Sequence, residues 1–108
     1  MARIVAISAD LLLGSKVEAT LRAAGHEVTM AAAIDGADLD GVELVVADLD
    51  ATAAESLAGR GIPVLGYYSH VDVETRRAAE AAGLDLVVPR SRMARELPAL
   101  VAGLLPAG

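Results

Sequence analysis

The chain has 108 residues and a formal net charge of −6, which is one domain's length with enough size to bury about two-thirds of its unfolded surface in one core. The acidic balance argues against binding nucleic acid or anionic lipid by charge neutralisation, and two tyrosines without Phe or Trp leave little for stacking on bases. With no cysteine, disulfides, thiolate zinc sites, iron–sulfur clusters and cysteine nucleophiles are excluded.

Short β-branched runs alternate with Ala-rich stretches along the chain. Residues 3–7 (Arg-Ile-Val-Ala-Ile) read as a strand, and residues 11–24 as a helix with Leu13, Val17 and Leu21 on one stripe. Gly25 ends that helix. Residues 27–31 are a second strand. Residues 32–42 are polar and turn-rich, with room for about two helical turns, so a second helix is expected only as a remnant. Residues 43–47 form a third strand whose continuous apolar run suits burial on both faces. Thr52-Ala53-Ala54-Glu55 has the form of a capping box opening a helix that stops at Gly59. Residues 62–67 follow as a fourth strand with Pro63 near its start. Ser69-His70-Val71-Asp72 resembles a second capping box, opening a helix that runs to Ala82 and closes at Gly83. Residues 84–88 are a fifth strand and residues 92–105 the last helix, in which Pro98 marks either a kink or the true first turn.

Parallel strands need crossover helices, and right-handed crossovers place helices on both faces of the sheet. The expected fold is therefore α/β: a single doubly wound five-stranded parallel sheet in the order 2-1-3-4-5, with helices on both faces and the second helix shortened. Residues 1–108 make one domain. No apolar run approaches the ~20 residues of a membrane span, so a cytoplasmic chain with no membrane partner is expected.

In such sheets ligands bind beyond the carboxyl ends of the strands, where the strand order reverses. The chain places Ser8, Ala9 and Asp10 there after strand one, and Asp48, Leu49 and Asp50 after strand three. Tyr68, Ser69 and His70 follow strand four, and Pro89, Arg90 and Ser91 follow strand five. Asp10, Asp48 and Asp50 could together hold Mg²⁺ through oxygens. Asp48 could also act as a nucleophile toward phosphorus if a cation neutralised the developing charge. The plainer reading of Asp10, Asp50 and His70 is that they cap helices and make turns. Tyr67 and Tyr68 point to opposite faces, which puts Tyr68 at the mouth as a contact residue. His26 reads as a solvated turn residue.

Residues 41–50 (Gly-Val-Glu-Leu-Val-Val-Ala-Asp-Leu-Asp) resemble the third strand of response-regulator receiver domains, and Asp48 matches the aspartate that there accepts a phosphoryl group. Ile62-Pro63-Val64-Leu65 looks like the receiver's fourth strand, and Ala82-Gly83-Leu84-Asp85 like the segment before its fifth. Ala24-Gly25-His26-Glu27-Val28 keeps the receiver spacing after the first helix. The departures are as informative. Receivers end strand one with an acidic pair that binds Mg²⁺; Ser8 and Ala9 match it here, with Asp10 where a third acid is often found. The switch Thr or Ser matches Tyr68, with Ser69 one step late, and its aromatic partner matches Val87. The phosphate-contacting lysine matches Arg90, and the proline after it matches Ser91.

The resemblance implies an atypical or pseudo-receiver, a stand-alone signalling module that works by protein–protein contact without metal-dependent phosphorylation or enzymatic turnover, and needs no cofactor. Its alternative is a genuine phospho-acceptor with Asp48 as nucleophile, Arg90 as phosphate contact and Mg²⁺ held by Asp10, Asp48 and Asp50. A second alternative is a small-ligand sensor using a pocket under Tyr68. Residues 1–60 carry ten acids against four bases, whereas Arg76, Arg77, Arg90, Arg92 and Arg95 fall on or near the fourth helix, fifth strand and fifth helix. In receivers this face dimerises and docks partners, so it is the expected surface for a protein partner or self-association. Gly14–Thr20 looks like the helix after a cobalamin-binding loop, but Leu11 stands where that loop needs its histidine. No glycine-rich phosphate loop follows strand one.

Overall fold

In the computed structural model, residues 2–69 and 73–105 are described. The β-branched runs become the strands β1 (Arg3–Ile7), β2 (Glu27–Ala31), β3 (Leu44–Asp48), β4 (Val64–Tyr68) and β5 (Leu86–Pro89). They form one all-parallel sheet in the order β2-β1-β3-β4-β5, as the sequence implies. Every residue of β3 and β4 is buried, which is what central strands covered on both faces require.

The helices are α1 (Leu11–Ala23), α2 (Ala54–Leu57), α3 (Val73–Ala81) and α4 (Arg90–Leu104). Two apolar layers sandwich the sheet. On one face α1 and α4 pack Leu13, Val17, Leu21, Met93, Leu97 and Val101 against Ile4, Leu44, Val46, Leu65, Tyr67 and Val88. On the other, Leu57 of α2 and Ala79 of α3 pack against Val5, Ile7, Val45 and Val64. Each buried aliphatic side chain here contributes about 1.5–3 kcal/mol.

Gly66 lets the chain pass close to its neighbour in the middle of β4. A Cβ there would lie 2.8 Å from Leu49 Cδ1, so the glycine is required by the close approach of the β3–α2 loop. Asp85 Oδ1 accepts the Val64 N–H at 2.9 Å and so satisfies the first donor of β4. His26 is more than a solvated turn residue, because its Nδ1 accepts the Ala2 N–H at 3.1 Å.

Several expectations need correction. The helical remnant over residues 32–42 does not form: this stretch is bends and turns. Ile34, 3 % exposed, inserts into the second apolar layer with Ala37, Leu39 and Val42 beside it. One buried anchor takes over part of the cover a helix would give. The Thr52 capping box does not form either. The N-cap of α2 is Ala53, with no side-chain hydrogen bond, and Thr52 Oγ1 is buried without a partner. Pro98 lies inside α4 and does not mark its first turn. His70, Val71 and Asp72 of the second box lie outside the described residues. No helix among the described residues is long and apolar enough to cross a membrane.

Candidate functional site

Asp48 is the last residue of β3 and pairs in register with Tyr67 of β4. Ile7 pairs with Ala47, so Ser8 continues the same row one step beyond the end of β1. Neighbours in register on parallel strands point to the same face, and this row faces α1 and α4. The Ser8 hydroxyl donates to the Asp10 carbonyl at 3.1 Å and accepts the Asp10 N–H at 3.2 Å. Burial above all, reinforced by the Asp48 and Asp10 charges, pushes the Tyr67 hydroxyl up to about 12, so it stays protonated at neutral pH. Its interaction with the Ser8 hydroxyl works against that upward shift.

Asp10 caps α1. Its Oδ1 accepts the Leu12 and Leu13 N–H groups at 3.0 and 3.1 Å, and its Oδ2 accepts from Arg90 Nη2 at 3.3 Å. The Leu13 N–H is the main reason its carboxyl sits below the usual carboxylate value, with the Leu12 N–H and Arg90 adding to the effect against an opposing rise from burial. Arg90 opens α4, with Pro89 as N-cap. Its bridge to Asp10 ties the first turns of α1 and α4 together across the mouth.

Asp48 is 7 % exposed, and no other charged residue is buried among those described. Its Oδ1 accepts the Asp50 N–H at 2.9 Å. Burial raises its carboxyl above the usual value first, and the Asp50 and Asp10 charges add to that, while the Asp50 N–H and Arg90 oppose it. Asp50 turns the other way: its Oδ2 accepts the Ser69 N–H at 3.1 Å and also the Ser69 hydroxyl.

The strand ends thus converge as the sequence implies. Among the described residues, no group of three or more His, Asp or Glu is placed to hold a metal ion. Asp10 is spent on a helix end and an arginine, and Asp50 on Ser69. Tyr68 is not a rim residue: it is 7 % exposed, because the central strand is covered on both faces. Ser69 is exposed and engaged with Asp50. His70 lies outside the described residues. On the α3–β5–α4 face, Arg76 pairs with Glu80 at 2.9 Å and Arg92 with Glu96 at 3.3 Å, each within its own helix, while Arg77 and Arg95 are exposed. Arg76 and Arg92 also flank a cleft of about 470 Å³ along β5.

Tyr67 and Ser8 are the residues that sequence reasoning undervalued. Tyr67 read as core and Ser8 as a lost acid, yet together they fill the row beside Asp48. Extending the strand pairing by one residue past each strand end was the signal that could have found them.

No protein-family model matches the chain, and no curated protein matches it. Solved structures do. A response regulator receiver domain protein from Clostridium thermocellum superposes with a TM-score of 0.82 at 16 % identity, covering 96 % of this chain and 94 % of that one. A response regulator protein from Burkholderia multivorans gives 0.73 at 28 % identity, covering 100 % and 99 %. An orphan response regulator of H. pylori gives 0.81 at 21 % identity, covering 97 % of each. The chain has the fold of the response-regulator receiver domain.

Proposed function

We propose that this chain is an atypical receiver module that acts through protein contacts and is not switched by metal-dependent phosphorylation. The observation that carries the reading is the commitment of Asp10. One of its carboxylate oxygens accepts two backbone N–H groups and the other takes Arg90. Ser8 and Ala9 add no carboxylate beside Asp48, whereas Mg²⁺ demands near-octahedral oxygen coordination. The donor set does not fit that ion. A phosphoryl group on Asp48 would bring further negative charge next to Asp50 and Asp10. Arg90 offsets part of that repulsion, but from a position already paired with Asp10.

The working surface in this reading is the α3–β5–α4 face, where Arg77 and Arg95 stand exposed for an acidic partner surface or a second copy. Incubation with acetyl phosphate and Mg²⁺, followed by intact mass, tests the central point. The reading expects no phosphate to be gained. A gain of one phosphate that disappears in Asp48→Asn overturns it and makes the chain a phospho-acceptor.

A further inference from the structure

Where α1 and α4 lie side by side, a cleft of about 250 Å³ opens between them. Its floor is Leu13 and Val17 of α1 with Met93 and Leu97 of α4. It stays open because Ala19 and Ala94 face it from the two helices and methyl groups cannot close the gap. An empty apolar cavity of about 150 Å³ already binds benzene, so this cleft has room for a larger apolar body.

At its rim stand Lys16 and Thr20. Lys16 is the chain's one lysine. Arg3, Arg22, Arg60, Arg76, Arg90 and Arg92 each sit within 4 Å of a carboxylate. Lys16 has no ion pair among the described residues. An unpaired ammonium at the rim of an apolar slot is complementary to an anion with a hydrophobic tail.

We propose that the α1–α4 cleft binds a small monocarboxylate with an apolar body, its chain lying over Leu13, Val17, Met93 and Leu97 and its carboxylate on the Lys16 ammonium. The Asp10–Arg90 bridge joins the first turns of the same two helices. Asp48 takes no part in this site.

Octanoate and octanol are suitable probes, since they share a chain and differ in charge. Titrated into ¹⁵N-labelled protein, octanoate is expected to shift amides of residues 13–20 and 93–97 saturably, with a dissociation constant on the order of 1 mM. Octanol should bind about threefold more weakly, as befits an exposed ion pair. Lys16→Gln should bring octanoate down to the octanol affinity. Ala94→Leu, a change at an exposed helix position, should fill the cleft and abolish binding of both while the spectrum stays folded. Shifts elsewhere in the chain, no saturable shifts, equal affinity for the two probes, or full binding in Ala94→Leu each overturn the proposal.

Discussion

Burial raises the Asp48 carboxyl above its usual value, so the native state holds that proton more tightly than the unfolded chain does. Stability therefore falls as pH rises from the unfolded value through the native one, and the penalty is absent below both. Asp48→Asn removes the charge and keeps an oxygen for the Asp50 N–H. It should leave stability at pH 7 unchanged or raise it by up to about 1 kcal/mol, whereas Asp48→Ala also strands that N–H and costs about 1 kcal/mol relative to the Asn variant. Urea midpoints across pH 3–7 would show it, and a clear loss of stability in Asp48→Asn contradicts the site described here. Asp10 has the opposite sign. Its carboxyl is held below the usual value, chiefly by the Leu13 N–H. Its contribution is present above the unfolded value and is lost as pH falls through the native one. Asp10→Ala should lower the urea midpoint near neutrality as a lost N-cap, with the deficit shrinking in acid. That Asp10 and Asp48 would sit together was legible from their place after β1 and β3. That Asp10 caps a helix was legible as well, since its contacts to the Leu12 and Leu13 N–H groups are local; the Arg90 bridge was not, because it joins residues 80 positions apart.

Pro98 stands inside α4, where it offers no N–H to the Ala94 carbonyl and crowds that turn. Pro98→Ala should stabilise the protein by about 1–3 kcal/mol, read as a higher urea midpoint at unchanged slope; an unchanged midpoint would mean that α4 has already adapted to the ring. Thr52 is a smaller case. Its hydroxyl is buried without a partner, so Thr52→Val, which keeps the shape, should gain about 1 kcal/mol. These two elements also show where local reading failed. The box pattern at residues 52–55 assumed Thr52 as N-cap, but the chain enters α2 one residue later, at Ala53, and the threonine points inward. The stretch 32–42 looked like a helix remnant by length, while its structure is set by one long-range contact, Ile34 entering the second apolar layer. Strand edges moved by one or two residues for the same reason: pairing partners decide them, and β3 extends to Asp48 because Tyr67 pairs with it.

At the scale of the whole molecule, the alternation of strand and helix signals was enough for the sheet order, because parallel pairing with right-handed crossovers leaves few topologies. Tyr68 shows its limit. Alternation put one tyrosine at the rim, but β4 is central and covered on both faces, so both tyrosines are buried. The same topology brings Ser8, Asp48 and Tyr67 into one row and closes that row with Asp10 and Arg90. In the proposed reading the mouth of this sheet, with Asp10 paired to Arg90 and Asp50 to Ser69, offers no site for Mg²⁺. A Mg²⁺ titration of ¹⁵N-labelled protein, followed at the amides of residues 8–10, 48–50 and 90, tests this most directly. No saturable shift is expected up to about 20 mM, a level at which a site with a dissociation constant of about 1 mM would be nearly full. A saturable shift centred on Asp10 and Asp48, lost in Asp48→Asn, would contradict it.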